Sequence, residues 1–555
     1  MGNTDAGSTG DLRRGTSMTQ SSALPTLGPS AHQDTFCRDH LPPLDQWPVL
    51  DLGDLDYPDR LNCATELLDA TIARHGPDRP CLRSADGSTW TYEELRATAD
   101  RIARVLVEDV GLVPGNRVLL RGFNERWLVA CWFAVLKAGG VAVTTMPLLR
   151  AGELSTMAGM CSPSVALCDS RLTEDLERAG IPGLRIMVFG SDAADDLCAR
   201  AAEKPAAFDD VGTAADDVAL LAFTSGTTGR PKATMHFHRD VLAIADTFSA
   251  HVLKPVSDDV FTGSPPIGFT FGLGGLVVFP LRAGASTLLL ERATPDVLAD
   301  AVAEHGVTVL FTAPTAYKAM LAAGSADRLA GLRRAVSAGE ALPEAVWTGV
   351  HEATGLRIID GIGATEMLHI FISAADDDIR PGSTGRAVHG YTAAVLDDDG
   401  NPVPHGTPGH LAVRGPTGCR YLDGDRQQVY VRNGWNVTGD TYVRDPDGYF
   451  HYRARTDDMI VSAGYNIAGP EVEQALLGHP EVVDCAVVGA PDPDRGMIVK
   501  AFVVLNPDRD HDVSAEELQD FVKQAIAPYK RPRAVEFLDE LPRTSTGKLQ
   551  RYRLR

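Results

Sequence analysis

The sequence predicts an α/β protein. A large N-terminal body of doubly wound α/β layers carries a β-rich subdomain and is followed by a small α+β C-terminal domain. Three observations point there. The chain has 555 residues, enough for several units at roughly 100–200 residues each. Between Leu61 and Ile359, short apolar runs alternate with stretches of helical spacing. The texture then changes twice, after Pro381 and after Arg455.

Residues 1 to about 30 are rich in Gly, Ser, Thr and Pro without periodicity and read as a disordered leader. Apolar positions at helical spacing follow through Ala64, Leu68 and Ile72, and again from Trp90 to Glu108. Strand-like runs cover Arg117 to Leu120, Gly140 to Thr144, Val165 to Leu167, Arg185 to Phe189 and Asp217 to Phe223. The rhythm continues at Ala285 to Leu290, Val307 to Phe311, Leu332 to Ser337 and Leu356 to Ile359. Beyond Pro381, short strands are punctuated by DDDG at Asp397 to Gly400 and DPDG at Asp445 to Gly448. The last hundred or so residues give a helix from Pro470 to Leu477, strands from Val482 to Val488 and Ala501 to Leu505, and a helix from Ala515 to Ala527. The domain reading is therefore leader 1–30, body 31–455 with its β-rich part at about 381–455, and C-terminal domain 456–555.

Composition excludes several classes of function. The chain is 44% hydrophobic and 23% charged, ordinary for a globular protein. Its 52 Lys+Arg against 74 Asp+Glu leave a net charge of −22, which repels nucleic acid and anionic membranes. The nine cysteines are scattered, never as C-x-x-C, which argues against a disulfide framework or zinc site. The longest apolar stretch, Trp127 to Leu136, is too short to span a bilayer, and Met1 to Gly28 lacks the apolar core of a signal peptide. A cytoplasmic protein without nucleic-acid or membrane partners is expected.

The most informative stretch is LLAFTSGTTGRPKATMHFH, Leu220 to His238. An apolar strand runs into Thr224, Ser225, Gly226, Thr227, Thr228, Gly229, Arg230, Pro231 and Lys232. Glycines let backbone amides approach a phosphate, hydroxyls add donors, and Arg230 and Lys232 add charge. The Walker pattern does not fit, because Ala233 follows the lysine.

TSGTTGRPK resembles the signature of the adenylate-forming superfamily of acyl- and aryl-CoA ligases, peptide-synthetase adenylation domains and luciferases. Further family motifs follow in order: SAGEALP at Ser337 to Pro343, DGIGATEM at Asp360 to Met367, TGD at Thr438 to Asp440, RTDDMIVSAGYNIAGPEVE at Arg455 to Glu473, and PRTSTGKLQR at Pro542 to Arg551. The resemblance implies ATP, Mg2+ and CoA as reactants, and a mobile C-terminal domain. Lys548 matches the lysine bridging the acid's carboxylate and the α-phosphate, Thr224 with the glycine-rich loop matches the phosphate cradle, and Thr365 falls among the cofactor-binding residues. Glu366 matches the residue that holds Mg2+. Asp440 and Arg455 match the ribose contacts. Gly339 and Glu340, with Asp360, Gly361 and Ile362, match the adenine slot, although many members have tyrosine where this chain has Ile362. Asp457 matches the hinge, and Gly464 the loop that approaches the thiol-bearing pantetheine arm.

DGIG, the opening SAHQDTFCRDHLPP and SAGYNIAGPEVE most resemble the benzoate and 2-aminobenzoate ligases. Phe269, Phe271 and Gly272, with Ile362, Gly363 and Ala364, make a flat, short, apolar acid pocket. His369, on the same side as Glu366 of any helix there, is placed to meet the carboxylate or a ring substituent. The leading expectation is an aryl-CoA ligase acting on an amino-substituted benzoic acid. A diazotase that activates nitrite, and a free-standing enzyme that loads a carrier protein, remain as alternatives, and a homodimer stays open. Because ATP and CoA are polyanions, an acidic chain needs local basic exceptions. Arg230 and Lys232 supply one, and Arg543, Lys548, Arg551, Arg553 and Arg555 in the tail supply another.

Overall fold

A computed structural model describes residues 27–225, 231–422, 424–455, 458–462, 465–492, 496–507, 513–526, 528–543 and 549–555. The strands expected of the body form two separate sheets. One has six strands, in the order 185–189, 165–169, 117–121, 141–145, 218–225 and 231–237; all are parallel except the last. The other has nine, with six central parallel strands flanked by antiparallel edges at 89–91, 370–373 and 386–387. One sheet holding all of them would pass the roughly ten strands at which open sheets tend to split.

Between the sheets lies the helix Arg126–Lys137, which touches strands of both. From Leu128 to Lys137 every side chain is buried, as expected of a helix apolar on all faces. This is the apolar run judged too short for a membrane. Its last residue, Lys137, is 1% exposed and held by Asp69 at 2.8 Å, Asp100 at 3.0 Å and Asp210 at 3.1 Å.

Several expected boundaries shift. Trp90 and Thr91 end a strand, and the helix starts at Tyr92 because Thr91 and Glu94 form a reciprocal capping box. The helix runs to Arg104 and continues as a wider π turn to Asp109. The leader expected to reach residue 30 is anchored by residue 28. The Gly28 N–H donates to Asp216 at 2.8 Å and that of Ala31 to Asp217 at 2.9 Å; residues 1–26 lie outside the described set. Arg386–Ala387, assigned to the β-rich subdomain, instead extends the nine-stranded sheet. The β-rich part is a five-stranded antiparallel sheet from Thr392 to Arg455.

In the C-terminal domain, helices Gly469–Leu477 and Ala515–Ala525 accompany a five-stranded sheet. Its strands at 460–462, 465–467 and 534–537 are too short to stand out by pattern. Asp484 joins this domain to the body. It pairs with Lys318 at 3.4 Å and with Arg543 at 2.7 Å, and Arg543 reaches to 4.0 Å from Glu340.

Candidate active site

The glycine-rich loop closes a hairpin. Val218–Ser225 and Pro231–Phe237 are antiparallel, with Thr224 opposite Lys232 and Ser225 opposite Pro231. The strand entering the loop packs against the short 3-10 turn Thr365–Met367. His236, on the strand leaving it, has Nε2 2.8 Å from the Thr365 carbonyl oxygen. The first motif thus lies directly against the acidic one.

Glu366 is 9% exposed, and its Oε1 accepts a hydrogen bond from the buried Tyr421 hydroxyl. Burial and the Glu366 charge both push the Tyr421 phenol upward, so it stays a proton donor. The Lys232 ammonium stands 5.7 Å from the centre of the same ring. Tyr430 packs edge-on against Tyr421, its hydroxyl buried without a partner among the described residues.

The SAGE and DGIG segments occupy adjacent parallel strands, with Ser337 opposite Asp360 and Ala338 opposite Gly361. Gly339 turns the chain at φ +93° just past its strand, next to Glu340. A side chain at Gly361 would come 2.7 Å from Ile370, so glycine lets the neighbouring strand close in. Asp360 has a buried Oδ1 without a hydrogen-bond partner among the described residues, and burial pushes its carboxyl up to about 7. A small cavity lined by Trp347, Arg380, Gly382 and Thr384 opens beside it. Such an acceptor suits an amino group.

Asp440 and Arg455 face each other across antiparallel strands 435–444 and 450–455. The Arg455 guanidinium donates to Asp440 at 2.9 Å and to the Thr438 carbonyl at 3.3 Å. Asp440 remains 8% exposed.

His369 does not join Glu366. The residues between them form a single 3-10 turn, and Leu368, at φ +69°, sends the chain the other way. The imidazole is enclosed by Phe248, Phe271, Phe279 and Phe311, with ring centres 4.6 to 6.4 Å away. Neither buried ring nitrogen has a hydrogen-bond partner of good geometry among the described residues, and burial, opposed by the Phe271 backbone, pulls the imidazole pKa down to about 3, so the ring is neutral. The glycines of SPPIGFTFGLGGL make the space. A Cβ at Gly274 would lie 2.6 Å from His369 Nε2, and one at Gly275 2.6 Å from the Phe311 ring. Phe269 caps the helix Thr270–Leu273, where Gly272 passes so close to the Pro266 carbonyl that no side chain fits. Phe271, Ile362 and Ala364 pack partly buried on the same core, and Gly363 lies against the His369 backbone.

Gly226, Thr227, Thr228 and Gly229, the hinge candidate Asp457, Gly464 and Lys548 lie outside the described residues, and Ser225 is described by its backbone alone. The tail is less open to polyanions than its sequence implied: Arg551 is paired with Glu473 at 2.6 Å, Arg543 with Asp484, and Arg555 with Asp458. Sequence reasoning missed His236, Tyr421, Tyr430, and the pair Asn124 and Thr144. The last two fasten the loop 265–268 to the six-stranded sheet through Ile267 N–H (2.8 Å) and the Gly268 carbonyl (3.1 Å). Only His236 stood near a recognised motif.

Phosphate-type and apolar features on opposite sides of one turn, with a second domain docked against the body, are what an AMP-forming ligase requires. Residues 68–421 match the AMP-binding enzyme family and 471–548 its C-terminal domain, and the chain belongs to this family. It is 33% identical over 511 residues to benzoate–CoA ligase of Thauera aromatica, covering 90% of this chain and 97% of that one. Among solved structures it resembles the anthranilate CoA ligase AuaEII in complex with anthranoyl-AMP, at 33% identity, 90% and 97% coverage and a TM-score of 0.84. MatB from Rhodopseudomonas palustris matches at 29% identity, covering 89% of this chain and 98% of that one; its ATP-bound form fits with a TM-score of 0.83 and its apo form with 0.74.

Proposed function

We propose that the chain adenylates an aromatic acid, of the amino-substituted benzoate class, and transfers it to the thiol of CoA. The observation that carries this reading is the neutral His369 inside its aromatic enclosure. A flat ring suits such walls, and an imidazole with no well-formed hydrogen bond among the described residues is matched to a small polar ring substituent. The similarity to a benzoate–CoA ligase and to an anthranilate CoA ligase supports the same class.

In the first step an oxygen of the acid's carboxylate forms a bond to the α-phosphorus of ATP, while the bond from that phosphorus to the bridging oxygen breaks and pyrophosphate leaves. Two anions must meet, which assigns Lys232, Thr224 and the loop to phosphate binding and Lys548 to the reacting oxygens. Glu366 fits a hard divalent cation, since one oxygen is fixed by Tyr421 and no described residue donates to the other. Mg2+ held there would supply charge neutralisation to the phosphates. Asp440 and Arg455 take the ribose, and Asp360 with Gly339 to Ile362 the adenine. In the second step the CoA sulfur attacks the acyl carbon, AMP departs, and the thiol proton is lost to solvent. Rotation at Asp457 brings Gly464 toward the pantetheine arm.

The test is exchange of labelled pyrophosphate into ATP with benzoate, 2-aminobenzoate, 3-aminobenzoate and decanoate. The aromatic acids, the aminobenzoates foremost, are expected to drive exchange, and exchange with decanoate alone refutes the reading. Mass spectrometry after adding CoA, nitrite or a carrier protein then identifies the acceptor. A diazo product without a thioester would replace CoA by nitrite.

A further inference from the structure

Tyr421 belongs to no motif of the sequence, yet its hydroxyl meets Glu366. The segment that carries it is fixed from both sides. The Met235 N–H donates to the Arg420 carbonyl at 2.8 Å and the Leu422 N–H to the Ala233 carbonyl at 2.9 Å, binding the segment to the strand that leaves the phosphate hairpin. The Tyr421 N–H donates to the Gln427 side chain at 2.9 Å. Gln427, fully buried, in turn donates to the carbonyls of Cys419 and Gln46, both at 3.0 Å. Arg420, also fully buried, is paired with Asp240 and stacked 3.9 Å from the centre of the Phe237 ring. A phenol on so constrained a backbone is a donor of fixed position.

We infer that Tyr421 is a positioning residue. By holding Oε1 of Glu366 it fixes the orientation of a carboxylate whose turn packs against the phosphate hairpin, and leaves the opposite oxygen for the cation. The inference rests on the reading of Glu366 as the metal-holding residue. The alternative, a purely structural tyrosine, does not call for a phenol hydroxyl on a buried carboxylate, because packing against Tyr430 and Lys232 needs only the ring. Partners that orient a metal-binding side chain typically contribute about ten- to a hundredfold in metal affinity.

The experiment measures Mn2+ binding by electron paramagnetic resonance, using the full chain and a non-hydrolysable ATP analogue. Tyr421→Phe is expected to weaken Mn2+ binding about tenfold, to leave metal-free AMP affinity unchanged, and to add nothing in a Glu366→Ala background. Unchanged Mn2+ affinity in Tyr421→Phe, with a clear loss in Glu366→Ala, overturns the inference while leaving Glu366 in place. Unchanged affinity in Glu366→Ala overturns the metal reading and the inference together. Should Tyr421→Phe not yield folded protein, 3-fluorotyrosine at position 421, a stronger donor of nearly the same size, must change Mn2+ affinity in wild type and not in a Glu366→Ala background; no change overturns the inference.

Discussion

Glu366 and His369 are three residues apart and occupy opposite surroundings. Glu366 accepts a hydrogen bond and borders a lysine-bearing hairpin; His369 has no well-formed hydrogen bond to either nitrogen among the described residues and is ringed by phenylalanines. Leu368, in a left-handed conformation uncommon for a branched side chain, divides them. One short turn can therefore serve a charged reactant on one side and a flat apolar one on the other. The glycines opposite His369 belong to this division, since a methyl group at Gly274 would occupy the space of the imidazole.

This contrast is open to breaking. The largest effect is expected from Glu366→Ala, which should lower pyrophosphate exchange about a hundredfold or more while acid affinity, read by calorimetry, stays within a factor of about three. A matching loss of acid binding would erase the distinction. His369→Ala should act on the other side. It is expected to change the ratio of kcat/KM between 2-aminobenzoate and bulkier aromatic acids about tenfold without moving the KM for ATP. A shift in the ATP constant alone would place His369 with the nucleotide.

A smaller effect concerns stability. Burial holds His369 and His238 near pKa 3 in the fold, against an ordinary value of 6.5. Below about pH 6.5 the unfolded chain takes up protons that the folded chain does not. Stability is thus intact above 6.5 and falls as pH drops toward 3, by roughly 1.4 kcal/mol per pH unit for each ring. Urea melts of wild type and His369→Phe between pH 7 and 5 should differ in slope by one ring's share; equal slopes would mean that His369 is protonated in the fold.

Much of the architecture was legible because buried parallel strands are written as short apolar runs, as at Val141–Thr145 and Val165–Asp169. The division into two sheets was not, since apolar periodicity shows that a strand is buried but not which partner it chooses. At the candidate site, the motifs could be named from their residues, and the pairing of Ser337 with Asp360 sets two motifs side by side that are far apart in sequence. Tyr421 and Asn124 stayed hidden because each acts through a long-range hydrogen bond that leaves no local pattern. The reading that set His369 on the same side as Glu366 failed for a different reason. It assumed a helix, and helical spacing means nothing across a residue at φ +69°.

The hairpin that carries the glycine-rich loop has an electrostatic consequence. Phosphate loops that open a helix draw on the aligned peptide dipoles behind them. Antiparallel strands run in opposing directions and their dipoles largely cancel, so the pair Val218–Ser225 and Pro231–Phe237 offers a triphosphate almost no standing field. In the function proposed above, compensation falls to discrete charges, Lys232 and a cation among them, which ionic strength screens and ligand exchange removes. That proposal makes nucleotide retention sensitive to salt, and weaker once pyrophosphate departs with its counter-ion.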